Sequence, residues 1–297
     1  METRRLGRTD LQVSVLGFGG SEIGGMAGSR EEVQRLLETA LDAGLNMIDT
    51  GECYGSSEEL IGQVAHRRGD YCLCTKCGHA SGLDGPDWDP RTLERSIERS
   101  LQRLGTDHLD LLQLHSCSEE LLRQGAVIEV LQRARDAGKT RYIGYSGDGA
   151  KALYAVQCGA FDTLQLSLSI ADQDGISLVL PEARARGMGV IAKRPVANAA
   201  WRSGGRPAEG YHHAYWERLQ QLDYDFLRGE LGAAVATALR FTLSTPGVHA
   251  AIVGTTRAER WPQNARALEA GPLAAEQYAA IRARWAAVAG ADWTGRQ

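Results

Sequence analysis

The sequence has little net charge, few cysteines and no long apolar run. A formal net charge of −4 gives no overall attraction to nucleic acid or to an anionic membrane. No stretch approaches the roughly 20 consecutive apolar residues that span a bilayer, and residues 1–15 have no apolar core of the signal-peptide type. We therefore expect a cytoplasmic monomer or weak homo-oligomer whose partners are small molecules.

Six cysteines in 297 residues are too sparse for a disulfide framework, so we expect reduced thiols. Apolar residues make up 43% of the chain and charged residues 24%. This is ordinary globular composition, which disfavours disorder and allows a large buried core.

Short β-type runs alternate eight times with longer segments whose apolar residues recur at helical spacing. The runs are VSVLGFGG, LNMIDT, YCLCTK, LDLLQLH, TRYIGYS, TLQLS, GVIAKR and HAAIVG. Several helical segments end in glycine, as at Gly44, Gly105 and Gly138, which is typical of helix C-termini. The pattern predicts a single domain over residues 1–297 with the α/β fold of a (β/α)8 TIM barrel, and an open doubly wound sheet is the alternative.

Three segments fall outside the repeat. A β-hairpin turning at residues 8–10 is predicted to close the bottom of the barrel, and a helical extension follows the last strand. Residues 195–227 form a long insert after the seventh strand, on the face where barrel active sites lie, and are a candidate substrate lid.

Four polar residues lie at or just beyond the ends of three consecutive predicted strands: Asp49, Tyr54, Lys76 and His115. In a barrel these ends converge on one mouth. Each residue alone could merely end a strand, but titratable side chains at three adjacent strand ends favour a reactive site.

The set suits carbonyl reduction, in which negative charge develops on oxygen and a proton donor must meet it. Tyr54 can donate the proton, and the ammonium of Lys76 is expected to lower the pKa of Tyr54. Asp49 would keep Lys76 charged and oriented. His115 could donate a hydrogen bond to the substrate oxygen.

These residues stand in motifs that resemble those of the aldo-keto reductase family. Residues 49–58 read DTGECYGSSE and match the family segment Asp-Thr-x-x-x-Tyr-Gly-x-Ser-Glu, while residues 104–115 match Leu-Gly-x-Asp-x-x-Asp-Leu-x-x-x-His. Lys76 matches the lysine of the third strand, and the similarity extends from the hairpin to about position 270. The resemblance implies NADPH-dependent reduction of an aldehyde or ketone, with Tyr54 as the general acid.

The resemblance also implies where the cofactor binds. Ser146 and Gln165 match residues that hold the nicotinamide, but Gly147 replaces an asparagine, whose hydrogen bond Asp148 or water could supply. Relatives often stack an aromatic residue from the seventh strand on the nicotinamide. This chain has Lys193 and Arg194 at that place, either of which could contact the pyrophosphate, and the planar guanidinium of Arg194 could itself stack on a ring.

The adenosine end of the cofactor is expected after the eighth strand. A Gly-Thr-Thr turn at a helix start offers backbone N–H groups and hydroxyls to a phosphate, and a following arginine adds further donors. We expect NADPH to be preferred over NADH. The matching residues are Gly254, Thr255, Thr256, Arg260, Gln263 and Asn264.

Four possible zinc ligands lie within eight residues: Cys72, Cys74, Cys77 and His79. Cys72 and Cys74 alternate along a strand, as small buried apolar residues do, and Cys77 directly follows Lys76 of the predicted site. We therefore expect no metal. Cys53, Cys77 and Cys117 adjoin the predicted site, where nearby cations could favour reactive thiolates. Packed and inert thiols are the alternative.

Two other functions stay open. The barrel could bind NADPH without catalysis, as a sensor, or it could work mainly as an alcohol or sugar dehydrogenase. The intact set of four site residues favours catalysis. The short connection after His115 and the aromatic insert suggest a substrate with an apolar or aromatic body.

Overall fold

The computed structural model describes residues 1–25 and 30–295 of the chain. Within these residues the strands are β1 (Thr3–Arg5), β2 (Gln12–Ser14), β3 (Leu16–Gly19), β4 (Met47–Asp49), β5 (Cys72–Cys77), β6 (Leu109–His115), β7 (Thr140–Ser146), β8 (Thr163–Ser167), β9 (Gly189–Lys193) and β10 (Ala250–Val253). The helices are α1 (Arg30–Asp42), α2 (Ser57–Gly62), α3 (Pro90–Leu104), α4 (Glu119–Gln124), α5 (Ala126–Asp136), α6 (Gly149–Gln157), α7 (Asp174–Leu178), α8 (Leu180–Ala185), α9 (His213–Leu222), α10 (Leu231–Ser244), α11 (Arg260–Glu269) and α12 (Ala275–Val288).

Strands β3 to β10 form a closed parallel barrel, in which β10 pairs with both β9 and β3. The helices between the strands cover the barrel, and their apolar faces form the outer core. The predicted (β/α)8 barrel is confirmed, and the alternative of an open sheet is wrong. In the register of neighbouring strands, Asp49 faces Cys74 and Lys76 faces Gln113, so the polar strand ends share one mouth.

The N-terminal hairpin pairs β1 with β2 and closes the bottom of the barrel, as predicted. Leu6, Leu11 and Val13 belong to an inner apolar cluster with barrel residues such as Met47 and Leu111. The first apolar run of the sequence is divided between two strands, because residues 13 and 14 belong to the hairpin and the barrel strand begins at position 16.

Helix α3 shows how local sequence sets the helix ends. Asp89 accepts hydrogen bonds from the backbone N–H groups of Arg91 and Thr92, and Pro90 occupies the first turn, where a missing N–H costs nothing. The helix ends at Gly105 with a φ of 62°, a left-handed conformation that glycine adopts without strain. Gly44 and Gly138 also have positive φ, in agreement with their expected place at helix ends.

The insert after β9 contains short 3-10 turns and α9, whose Tyr215 is buried. From the same insert Tyr211 reaches Arg194 at the end of β9, with its hydroxyl 2.7 Å from Arg194 Nε. Helix α12 extends the barrel and buries Ile281 and Trp285 in the outer core. No helix within the described ranges is both long and apolar enough to cross a membrane.

Candidate active site

The four residues singled out in the sequence come together at the C-terminal mouth of the barrel. Asp49 ends β4, Lys76 lies near the end of β5, and His115 ends β6. Tyr54 lies in the loop between β4 and α2. Since β4, β5 and β6 are neighbours in the parallel barrel, their carboxyl ends and the loop after β4 share one space.

Lys76 and Asp49 form a fully buried ion pair, with each side chain 1% exposed. Lys76 Nζ also donates to the backbone oxygen of Thr50 at 2.8 Å. Burial disfavours the charged lysine, but the attraction of Asp49 and Tyr54 outweighs it and raises the pKa of Lys76 above its ordinary value. Lys76 is therefore a permanent cation in the mouth at neutral pH.

Two glutamines bind the carboxylate oxygen of Asp49 that does not accept from Lys76. Gln113 Nε2 donates to Asp49 Oδ1 at 2.8 Å, and Gln165 Nε2 donates to the same oxygen at 2.9 Å. Both glutamines are buried. The sequence reasoning missed Gln113, although a glutamine two residues before His115, on the same face of a largely apolar strand, was an available signal.

Tyr54 contacts both Lys76 and His115. Lys76 Nζ lies 4.9 Å from the centroid of the Tyr54 ring, and the His115 ring meets that ring nearly edge-on with centroids 5.8 Å apart. Burial raises the pKa of Tyr54, and Lys76 opposes the rise. The lysine thus acts in the expected direction, while desolvation of the phenolate is the larger effect.

His115 is neutral at neutral pH. Burial, together with repulsion from Lys76 and Lys193, places the pKa of His115 well below its ordinary value. Trp88 Nε1 donates to the His115 backbone oxygen at 2.8 Å and anchors this strand end. A neutral imidazole donates from only one ring nitrogen, so its neighbours decide which nitrogen can donate into the mouth.

The residues expected at the nicotinamide lie on β7, β8 and β9. Ser146 Oγ donates to Gln165 Oε1 at 3.2 Å, which links this group to Asp49. A Cβ added to Gly147 would lie 2.6 Å from the Tyr145 ring, so the asparagine of relatives does not fit here unless that ring moves. Asp148 is engaged by Lys193 Nζ at 3.0 Å.

The two cations at the end of β9, Lys193 and Arg194, have partners within the protein. Asp148, which pairs with Lys193, also accepts from the Ser167 backbone N–H at 2.6 Å. Arg194 Nη1 donates to Ser167 Oγ at 2.8 Å, and its guanidinium lies 5.4 Å from the centroid of the Tyr211 ring. Any contact of these cations with a cofactor must therefore add to, or replace, contacts within the protein.

The residues expected at the adenosine end surround the start of α11. Thr256 is exposed in the turn after β10, and Arg260 Nη1 donates to Gln263 Oε1 at 3.3 Å. Asn264 is buried one turn into the helix. Hydroxyl, guanidinium and amide groups beside a helix N-terminus form a donor set that fits a phosphate and an adenine. The mouth therefore carries groups suited to both ends of a nicotinamide dinucleotide.

The cysteines do not form the reactive set considered from the sequence. Cys77 and Cys117 are fully buried, whereas Cys53 is partly exposed to solvent. Partial desolvation of Cys53 and the neighbouring carboxyl of Glu52 raise its pKa to about 12, more than Lys76 lowers it, so the thiolate is disfavoured where cations were expected to favour it. The four ligands of the zinc alternative do not lie together, because Cys74 belongs to the inner apolar cluster and Cys77 to the outer core.

The comparisons with known proteins agree with this geometry. The model of the aldo/keto reductase family matches residues 15–286. The holo form of the aldo-keto reductase AKR11C1 from Bacillus halodurans superposes with a TM-score of 0.84 at 26% identity, covering 99% of each chain.

Curated relatives include an L-galactose dehydrogenase of Arabidopsis thaliana, 29% identical over 294 residues, 90% of this chain and 88% of the relative. An NADH-specific methylglyoxal reductase of Escherichia coli is 29% identical over 215 residues, 64% of this chain and 66% of the relative. With the closed barrel and the family match over nearly the whole chain, these findings show that the chain belongs to the aldo/keto reductase family of nicotinamide-dependent oxidoreductases.

Proposed function

We propose that this chain reduces an aldehyde or ketone to the alcohol with NADPH, and that Tyr54 is the general acid. The observation that carries the proposal is the contact of Tyr54 with a buried cation, since Lys76 Nζ lies 4.9 Å from the Tyr54 ring and is itself paired with Asp49. A protein that binds NADPH but reduces no carbonyl compound in a broad panel would instead indicate the non-catalytic sensor.

The four residues have distinct tasks in this proposal. A bound nicotinamide dinucleotide would supply the hydride. Tyr54 keeps its proton at neutral pH until charge develops on the substrate oxygen, and then donates it. Lys76 stabilises the phenolate that results, and Asp49 keeps Lys76 protonated and in place. His115, as a neutral imidazole, orients the carbonyl by a hydrogen bond.

Replacing the proton donor tests this assignment. Tyr54→Phe removes only the hydroxyl, so turnover is expected to fall by about two to four orders of magnitude while NADPH affinity is unchanged. Tyr154→Phe is the matched control, because Tyr154 is half-buried on α6 outside the mouth. NADPH oxidation measured by absorbance gives the rate. A Tyr54→Phe variant that keeps most of its turnover would exclude Tyr54 as the donor.

We propose NADPH rather than NADH because Arg260 and Thr256 can meet a 2′-phosphate at the start of α11. The NADH-specific relative makes NADH the alternative. Titration of each cofactor by quenching of protein fluorescence separates the two, and equal or reversed affinities contradict the role of Arg260.

Oxidation of a sugar or another alcohol is the second candidate, supported by the relative named L-galactose dehydrogenase. The same four side chains serve both directions of the reaction. For reduction we propose a substrate with an apolar or aromatic body, bounded by the short connection after β6 and by the insert that carries Tyr211. A panel of aldehydes, ketones and sugars, assayed with both redox forms of the cofactor, tests this. Activity confined to small polyhydroxylated substrates contradicts an apolar pocket.

We further propose that the chain acts as one domain. Its C-terminal part supports this, because α12 contributes buried residues to the outer core, and Arg218 of α9 donates to the backbone oxygen of Thr294 at 2.8 Å.

A further inference from the structure

Three soft ligands meet at the mouth although they are distant in the sequence. Cys53 follows β4, His79 follows β5, and His115 ends β6. One ligand atom from each lies within 4.8 Å of the other two, the one such group found within residues 1–25 and 30–295. Cys53 is exposed, and both histidines are half-buried, so an ion in solution can reach the group.

The spacing of two of these atoms already suits a tetrahedral metal ion. Cys53 Sγ lies 3.5 Å from His115 Nδ1. Zinc bonds of about 2.3 Å to sulfur and about 2.0–2.1 Å to nitrogen, at tetrahedral angles, place the two ligand atoms roughly 3.5 Å apart. A zinc ion can therefore bridge Cys53 and His115 without a change in their separation.

His79 is oriented in the way that zinc sites orient a histidine. His79 Nδ1 lies 2.9 Å from Asp87 Oδ2, and the other oxygen of Asp87 accepts from the Ala80 backbone N–H at 2.8 Å. This leaves Nε2 as the nitrogen that His79 can offer. A carboxylate behind a ligating histidine fixes the ring and strengthens it as a ligand.

The His79 ring is further held at the group by edge contacts. Its centroid lies 5.0 Å from that of Trp88 and 5.2 Å from that of His115. A separation of up to 4.8 Å exceeds the tetrahedral spacing, so binding requires the His79 ring to move toward the other two ligands.

We propose that Cys53, His79 and His115 bind Zn²⁺ and that the bound ion inhibits the enzyme. One thiolate and two imidazoles are donors that select zinc over Mg²⁺ or Ca²⁺. On binding, the Cys53 thiol releases its proton to solvent, and water completes the four ligands. Inhibition rests on the proposed function, because the ion and its water ligand would occupy the space beside His115 where the substrate carbonyl is proposed to bind.

Cobalt substitution tests the site without any need for turnover. The protein, freed of any histidine tag and reduced with a phosphine, is titrated with Co²⁺. One equivalent is expected to give the visible absorption of tetrahedral Co²⁺ and a near-ultraviolet thiolate-to-cobalt band, both removed by Zn²⁺. Cys53→Ser is expected to lose the thiolate band, while Cys158→Ser, at a half-buried thiol that follows the last residue of α6, keeps it.

Asp87→Asn and His79→Asn extend the test to the second histidine. Asp87→Asn leaves all three ligands in place, and loss of its support is expected to weaken Co²⁺ binding by about 10–100-fold. His79→Asn removes a ligand and should weaken binding at least as much. Thermal melting confirms that each variant is folded.

The tests of the metal site can fail independently of the tests of carbonyl reduction. The absence of a thiolate band, or the same band in Cys53→Ser, overturns the site even if carbonyl reduction is demonstrated. Zn²⁺ is expected to inhibit the unmodified enzyme and to inhibit Cys53→Ser at least tenfold less strongly. Full turnover at saturating Zn²⁺ overturns the inhibitory role.

Discussion

Replacing Lys76 by methionine separates its structural role from its chemical role. Lys76 and Asp49 are each 1% exposed, so Lys76→Met leaves a carboxylate buried without its cation. Asp49 keeps the hydrogen bonds from Gln113 and Gln165, which compensate only part of its charge. Both the free energy of unfolding and the rate of turnover are expected to fall, for different reasons.

The expected loss of stability follows from the burial of the pair. Removing one partner of a buried ion pair costs about 3–5 kcal/mol. For a chain of this size, about 2 °C of melting temperature per kcal/mol gives a decrease of roughly 6–10 °C. Turnover is expected to fall by about two to four orders of magnitude, because Tyr54 loses the charge that stabilises its phenolate.

A double variant distinguishes the two effects. Asp49→Asn with Lys76→Met removes both charges at nearly constant volume, and the amide oxygen of the introduced asparagine can still accept from the two glutamines. We expect the melting temperature, measured by circular dichroism, to recover most of its loss while turnover stays low. Recovery of turnover in the double variant would refute the chemical role of Lys76, and an unchanged melting temperature in Lys76→Met would refute the structural one.

Three further predictions concern the cofactor end, the glutamine pair and pH. Arg260→Ala is expected to weaken NADPH binding by about 10–100-fold and NADH binding little, since only NADPH offers a 2′-phosphate; equal losses in fluorescence titrations contradict the assignment. Gln113→Leu should lower the free energy of unfolding in urea by about 1.5–3 kcal/mol, because Asp49 loses a charge-assisted donor; an unchanged midpoint contradicts this. Burial, with the nearby carboxylates Asp148 and Asp174, raises the pKa of Asp172 from 3.8 to about 8. Between these two pH values the folded state holds a proton that the unfolded state releases, so the free energy of unfolding falls as the pH rises. Asp172→Asn should therefore gain stability relative to the unmodified protein by at most about 1.4 kcal/mol per pH unit over this range, and equal differences in melting temperature at pH 5 and pH 8 contradict the pKa.

The sequence by itself determined the fold and the place of the candidate site. The residues that face a core recur along the chain at the spacing of a strand or of a helix. The eight strands, the hairpin and the glycines at helix ends could therefore all be predicted from the sequence. Because parallel strands of a barrel end at one mouth, Asp49, Lys76 and His115 could be placed together from the strand pattern alone.

Only the tertiary structure decided which side chains meet and how their pKa values respond. The register between strands brings Gln113 and Gln165 onto one oxygen of Asp49, and loop conformation brings Cys53 and His79 to His115. The rise in the pKa of Tyr54 likewise depends on how much protein surrounds the phenol. Such contacts join residues far apart in the chain, and their distances follow from packing in three dimensions, which the spacing of residues along the chain does not encode.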